Sequence, residues 1–497
     1  MDLNIVIRTD ASLDIGTGHV MRCLVLADEL SQRGANISFI CREEKGNLIE
    51  LIGKKGNEIY SLPANISMKT DKELTREILE KFLQPPDWLI IDNYDIDVTW
   101  ESSLRESVKR IMVIDDLADR QHDCDILLDQ NYSTDGKRYE GLLPNHCILL
   151  LGTKYAMLRA QFGKVRENLR RRNGEVKSIL VLMGGADSYN QTGKVIRVLE
   201  MLEREDIKVE VIIGFSNTHR KEIEKQVSVK SNYTCHFNVE NMAELMAAAD
   251  LSVGAGGSSI WERCCVGLPS IIITVADNQE VVARGLAQKG YIVYSGKDKN
   301  VTEQNLLEDL KFVLRHPEFV SESSLRVTAL VDGQGAKRVA GYLSSNIESI
   351  RLRTARSDDC RNVFEWRNHP DIRKHCFDTS PLSWTNHEQW YLTVLSSSDV
   401  ELLIGEGENG PVGVLRYDLK KDKVFVSIYI VPELLGMGIG NYMLKLGAKW
   451  IVENYHEVKY IIAKIKHQNI ASEKTFKEAG FVKNHSTYIY DCSVETI

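Results

Sequence analysis

The sequence predicts an α/β protein of two consecutive Rossmann-like halves followed by a third domain of α+β type. Three observations carry this. From the start to about residue 340, short apolar runs rich in branched residues alternate with amphipathic helical stretches, as parallel sheets covered on both faces require. The alternation breaks at 159–178, where Arg159, Lys164, Arg166, Arg170, Arg171 and Arg172 interrupt the apolar pattern before a new strand–loop–helix unit opens at Ile179. It breaks again at 344–354, and beyond that point strands follow one another closely. Length agrees, since 497 residues at about 150 per domain gives about three. The expected domains are 1–160, 161–345 and 351–497.

In chain order, strands are expected at 5–7, 37–40, 88–91, 111–114 and 148–151 in the first half, and at 179–183, 209–213, 251–253 and 271–275 in the second. Each is a short run with no polar alternation, bounded by turn residues. The third domain should place strands at 402–404, 412–417, 424–431, 458–465 and 487–490. Helical patterns at 358–368, 384–395, 440–454 and 469–479 separate them.

Composition narrows the function. Lys+Arg of 62 against Asp+Glu of 70 leaves a net charge of −8, and without a long basic run a general nucleic-acid surface is not expected. The ten cysteines are scattered, with no C-x-x-C and no Cys/His cluster at zinc spacing, so neither a metal site nor a disulfide framework is expected. No stretch approaches 18 apolar residues, and Asp2, Arg8 and Asp10 surround the first apolar run. Neither a membrane span nor a signal peptide is expected, and the reading is a cytoplasmic protein.

The first strand leads into Gly16-Thr17-Gly18-His19, with Asp10 and Arg22 nearby, and then a helix. Glycines admit close backbone approach, and His19 would stand at the carboxyl end of a parallel strand, where open α/β sheets bind ligands. On spacing alone a structural turn and a functional histidine are equally good accounts. Gly184-Gly185 after one strand and Gly256-Gly257-Ser258-Ser259 after another offer N–H donors suited to phosphate oxygens. Glu262 is placed to accept from a ribose diol, although helix-dipole pairing explains it too. Asn278 and Gln279 add amides at the same sheet edge.

These pieces, with Asp92-Asn93-Tyr94, Ile114-Asp115-Asp116 and Tyr155-x-x-Leu158-Arg159, come in an order that resembles the UDP-sugar hydrolases of pseudaminic acid biosynthesis over the first ~345 positions. The resemblance implies a GT-B-like fold with the nucleotide held mainly by the second half. It also implies water attack on the anomeric carbon of UDP-2,4-diacetamido-2,4,6-trideoxy-β-L-altropyranose, releasing UDP. His19 would be the base, with Tyr94 and Asn278 positioning sugar and phosphate. Asp10, Gly18, Arg22, Gly184, Gly185, Gly257, Ser258, Ser259, Glu262 and Gln279 would bind the UDP-sugar, without a metal.

Beyond residue 350, a branched strand ending at Val431 runs into Leu435-Gly436-Met437-Gly438-Ile439-Gly440 and a helix, a loop able to wrap a pyrophosphate. With Asn469-x-Ala471 and Phe476-x-x-x-Gly480-Phe481, it resembles the GNAT acetyltransferases. That implies acetyl-CoA as cosubstrate, held at Val431, Gly436, Gly438, Ile439, Gly440 and Asn469. Leu435 stands where the family has a cation or amide, and Phe476 where many members have a tyrosine acid, so Tyr488 or Ser472 is the substitute candidate. Similarity to the acetyltransferase of the same UDP-sugar series implies a substrate pocket of Arg367, Phe377, His387 and Trp390, with Ser427 holding a water. Read without the family, a histidine and an aromatic at helical spacing are a packed surface.

The expectation is a bifunctional nucleotide-sugar enzyme acting on small-molecule UDP-sugars and acetyl-CoA. A GT-B glycosyltransferase, or a nucleotide-sugar-binding module with an acetyltransferase of other specificity, remains open at this level. The sequence carries no sign of oligomeric state.

Overall fold

Parallel pairing of the apolar runs builds two sheets in the first 340 residues of the computed structural model. The structure describes residues 3–491, apart from 14, 134, 136, 186, 238, 345–348, 408–409, 436–437, 467–468 and 485–486. The chain separates into two compact units, 1–340 and 341–497.

The first sheet contains β1 (Asn4–Thr9), β2 (Asn36–Arg42), β3 (Glu58–Leu62), β4 (Trp88–Asp92), β5 (Ile111–Ile114), β6 (Ile126–Asp129) and β7 (Ile148–Leu151). They lie in the order β3-β2-β1-β4-β5-β6-β7, every neighbouring pair parallel. The second contains β8 (Ser178–Leu182), β9 (Lys208–Ile213), β10 (Tyr233–Phe237), β11 (Leu251–Ala255), β12 (Ser270–Thr274) and β13 (Val293–Lys297). Its order is β10-β9-β8-β11-β12-β13, again all parallel. Central strands such as β4, β5, β11 and β12 are buried throughout. The edge strands β3, β10 and β13 mix polar and apolar residues, so the apolar pattern does not announce them.

Strand order reverses between β1 and β4 in the first sheet and between β8 and β11 in the second. At such reversals the outgoing loops diverge and leave a crevice at the carboxyl ends of the strands. The loops at these four ends are those carrying His19, Asp92–Tyr94, Gly184-Gly185 and Gly256–Ser258.

Two side chains of the arginine-rich stretch before β8, Arg166 and Arg172, pack against helix ends. The buried Arg172 donates to the carbonyls of Met246, Ala247 and Ala249 and to those of Val266 and Gly267. These oxygens lie at the C-terminal ends of the helices Met242–Ala248 and Ser259–Cys265, where carbonyls lack intrahelical partners. Arg166 serves Cys265 and Thr328 in the same way. The helix Gly335–Ser344 returns to the first half: Arg33 donates to the Lys337 carbonyl and Arg338 to that of Lys154.

The second unit is a sheet of β14 (Arg351–Thr354), β15 (Val400–Gly407), β16 (Gly410–Lys420), β17 (Lys423–Ile430), β18 (Tyr460–Lys464), β19 (Val482–Asn484) and β20 (Thr487–Asp491). The order is β14-β15-β16-β17-β18-β20-β19. All pairs are antiparallel except β17 with β18. That parallel ladder stops at Val426–Ala463, while β17 continues to Ile430 still paired with β16. The two strands therefore part, and the β18-side edge of β17 over Ser427–Ile430 is left outside the ladder.

Candidate functional site

In the first unit the carboxyl ends of both sheets line one cleft of about 1460 Å³. His19 lies in the first turn of the helix Gly18–Ser31 that follows β1. Its Nδ1 is 2.6 Å from Oδ1 of Asp92, the last residue of β4. Asp92 is fully buried and also accepts from Arg22 Nε and Nη2, each at 2.6 Å. Burial alone would raise the Asp92 carboxyl, but Arg22 and His19 hold it well below the usual carboxylate range. A permanent carboxylate on Nδ1 keeps the proton on that nitrogen and leaves Nε2 as the acceptor.

Tyr94 completes this corner. Its ring meets that of His19 edge-on at 4.6 Å. Its hydroxyl donates to Asp116 Oδ1 at 2.6 Å and accepts from Asn278 Nδ2 at 3.2 Å. Burial and Asp116 raise the phenol far above its ordinary value, so it stays protonated. The three residues expected to act together, His19, Tyr94 and Asn278, are thus neighbours, although Asn278 comes from the opposite sheet.

Several expected ligands already have structural partners. Asp10, nearly buried, forms an ion pair with Arg8 at 2.7 Å, accepts from the Arg42 N–H at 2.7 Å and takes the Asn93 amide at 2.9 Å. It braces the His19 loop rather than projecting a free carboxylate. Glu262 accepts from Arg159 at 2.9 Å. Gln279 Oε1 accepts from the Val275 N–H at 3.0 Å. The remaining expected residues, Gly18, Arg22, Gly184, Gly185, Gly257, Ser258 and Ser259, line the cleft. Gly184 has φ +83°, and a Cβ on Gly185 would lie 3.5 Å from Thr17 Oγ1, so the two loops face each other closely.

Spacing does not single out Asp92 and Asp116, because each acts on residues distant in sequence. Both sit at the carboxyl ends of strands in the first sheet, at or just beyond the last residue, and that position is the signal that finds them. Among the described residues no cluster of three His, Cys, Asp or Glu is arranged to hold a metal, and no helix is long and apolar enough to cross a membrane.

In the second unit, Gly438 has φ +70° and precedes the helix Ile439–Asn454, a conformation that disfavours side chains. Gly440 allows close approach to the following helix: an added Cβ would meet Thr475 Cγ2 at 3.3 Å. Val431 follows the free edge of β17, and Gly436 lies outside the described residues. Asn469 caps the helix Ile470–Glu478 by accepting from the Ser472 N–H at 3.1 Å. Phe476 is buried against Phe481, with ring centroids 5.0 Å apart, and the candidate acid Tyr488 is buried too.

The expected substrate pocket is brought together incompletely. His387 is 3% exposed and enclosed by Phe364, Trp384, Trp390 and Tyr391, with burial lowering its pKa. It is the centre of an aromatic cluster, the packed alternative, rather than a pocket wall. Trp390 is half-buried beneath Arg416, whose guanidinium lies 5.5 Å from the ring. Arg367 donates to the Asp378 carbonyl at 3.3 Å, while Phe377 and Ser427 are exposed.

Comparison with known proteins agrees with this division. The glycosyltransferase family 28 C-terminal domain matches residues 178–338, and the acetyltransferase (GNAT) domain matches 349–482. The chain is 26% identical to an uncharacterized protein of Methanocaldococcus jannaschii, over 99% of this chain and all of that one. It is 30% identical to the UDP-2,4-diacetamido-2,4,6-trideoxy-β-L-altropyranose hydrolase of Campylobacter jejuni, over 59% of this chain and 98% of that protein. The crystal structure of MurG from Acinetobacter baumannii aligns with TM-score 0.49 and 14% identity, over 69% of this chain and 99% of that one. The architecture is a GT-B-like pair of Rossmann-type halves with a C-terminal GNAT fold.

Proposed function

The chain belongs through its N-terminal part to the family of UDP-2,4-diacetamido-2,4,6-trideoxy-β-L-altropyranose hydrolases, and on that premise we propose that this part hydrolyses that nucleotide sugar to UDP and the free sugar. The GNAT domain behind it N-acetylates the preceding UDP-4-amino sugar with acetyl-CoA. The enzyme thus performs two consecutive steps on one sugar series.

In the hydrolytic step, water attacks the anomeric carbon while the C1–O bond to the β-phosphate breaks, with inversion. His19 Nε2 takes the proton of the water, and Asp92 on Nδ1 stabilises the imidazolium that forms. UDP is a good leaving group, so a strong acid is dispensable. The glycine loops at 184–185 and 257, with Ser258 and Ser259, offer donors to the diphosphate. For Glu262 to take the ribose diol, it must exchange its bond to Arg159 for the sugar hydroxyls.

In the acetyl-transfer step, a neutral amine attacks the thioester carbonyl and CoA thiolate departs. The β17 edge beyond Val426 supplies backbone groups for the pantetheine chain, and the loop ending at Gly440 supplies N–H groups for the pyrophosphate. A water near Ser427 accepts the amine proton.

The observation that supports the hydrolytic reading most strongly is the 2.6 Å His19–Asp92 contact beside the sheet's reversal point. His19→Ala should abolish UDP release from the nucleotide sugar while UDP still binds in calorimetry. Near-normal turnover by that variant would remove His19 as the base.

A further inference from the structure

We propose that Asp116 is a positioning residue that fixes Tyr94 as a hydrogen-bond acceptor toward the reacting water; the inference rests on the hydrolase reading above. A phenol has one hydrogen to give. In Tyr94 it goes to Asp116 Oδ1 at 2.6 Å, and one lone pair is taken by the Asn278 amide at 3.2 Å. What remains on the oxygen is a lone pair, so Tyr94 cannot donate a proton to the departing phosphate.

That polarity suits a different task. The Tyr94 ring stands edge-on to His19 with centroids 4.6 Å apart, and both residues line the same cleft, where the proposed water sits between His19 Nε2 and the Tyr94 oxygen. Such a water gives one hydrogen to His19 Nε2 and the other to the Tyr94 oxygen, leaving a lone pair free for the anomeric carbon. As the C–O bond forms, the first hydrogen moves to Nε2 and the electron pair of the breaking C1–O bond stays with the phosphate oxygen of UDP.

The setting of Asp116 requires a carboxylate. Its second oxygen accepts from Asn131 Nδ2 at 2.9 Å and faces Arg22 Nη1 at 3.6 Å. Two hydrogen-bond donors and a guanidinium thus converge on the two oxygens, and an asparagine would turn its NH2 toward one of the donors. Asn131 in turn accepts from Trp261 Nε1 at 3.1 Å, on the helix that follows the Gly256–Ser258 loop. Tyr94 is therefore oriented by a path that begins in the nucleotide-binding half.

The test is a double-mutant cycle of Asp116→Asn and Tyr94→Phe, with kcat and KM measured on UDP-2,4-diacetamido-2,4,6-trideoxy-β-L-altropyranose and UDP affinity by calorimetry. Asp116→Asn should lower kcat about tenfold with KM and UDP affinity within about twofold, and the double variant should lose no more than Tyr94→Phe alone. Losses that multiply, or a raised KM with kcat retained, would overturn the assignment. If Asp116→Asn fails to bind UDP, Asn131→Ala takes its place in the cycle and is read by the same two outcomes. A wild-type enzyme that releases no UDP, or an active His19→Ala variant, brings down the hydrolase reading itself. Multiplying losses in an active enzyme bring down only the role of Asp116.

Discussion

Replacing Asp92 by asparagine removes a charge while keeping shape, and the geometry sets its effect. Asp92 is buried and takes three contacts of 2.6 Å, one from His19 and two from Arg22. An asparagine has one oxygen and one NH2 in their place. If the NH2 takes the place of Oδ1, it faces His19 and Arg22 Nη2 together; Nδ1 becomes an acceptor and the ring proton moves to Nε2, so the base is lost. If it takes the place of Oδ2, it faces Arg22 Nε, two donors oppose each other and a buried guanidinium loses half its partner while His19 keeps its acceptor. The first arrangement should cost the contribution of a positioned general base, about 100- to 10,000-fold in kcat, or roughly 4 kcal/mol of barrier for a thousandfold loss. The second should lower stability by about 3 kcal/mol or more. Stopped-time assays of UDP release, with UDP calorimetry and thermal unfolding on the same samples, separate the two. An Asp92→Asn enzyme with kcat within a few-fold of wild type and unchanged stability would refute the His19–Asp92 account.

Arg172→Met should destabilise the first unit by about 3–5 kcal/mol, because five backbone carbonyls lose a charged donor; calorimetry should show this in the transition that UDP raises. Asp129 is buried and pushed up to about 6, against the pull of Asn131 and Arg138. Since its folded value lies above its unfolded value near 4, its contribution is full below pH 4 and falls by about 3 kcal/mol as pH rises through 6. Asp129→Asn should flatten that part of the stability–pH curve, and an unchanged slope between pH 4 and 6 would contradict the assignment. Gly438→Val forces a branched side chain into φ +70°, at a cost of roughly 1–2 kcal/mol, so CoA binding measured by calorimetry should weaken about tenfold.

Much of the architecture is legible in the sequence because parallel strands buried on both faces leave continuous apolar runs, and the loops at their ends carry glycines and polar residues. His19, Gly184 and Gly257 are legible in this way. Features that depend on distant chain segments meeting are less so. Asp92 lies 73 positions from His19 and Asp116 lies 22 from Tyr94, so no local spacing joins them. The same holds for Glu262, whose partner Arg159 is 103 positions away. The arginines at 166–172 read only as a break in the apolar pattern, because a side chain that caps helix carbonyls has no periodic signature. His387 carries the opposite lesson: a histidine and an aromatic at helical spacing read as a packed surface, only the resemblance made them a pocket, and the ring of Phe364 from the helix Cys360–Asn368, with Trp384 and Tyr391 of its own helix, encloses His387 as core.

The central claim, two consecutive reactions on one sugar by one chain, is tested most directly by incubating the purified protein with acetyl-CoA and the UDP-4-amino sugar and monitoring products by mass spectrometry. The account predicts the acetylated UDP-sugar as an intermediate, then UDP and the free 2,4-diacetamido sugar in equal amounts. In the His19→Ala variant the acetylated UDP-sugar should accumulate. Failure to consume acetyl-CoA, or an acetylated UDP-sugar that persists intact with the wild-type enzyme, would contradict it.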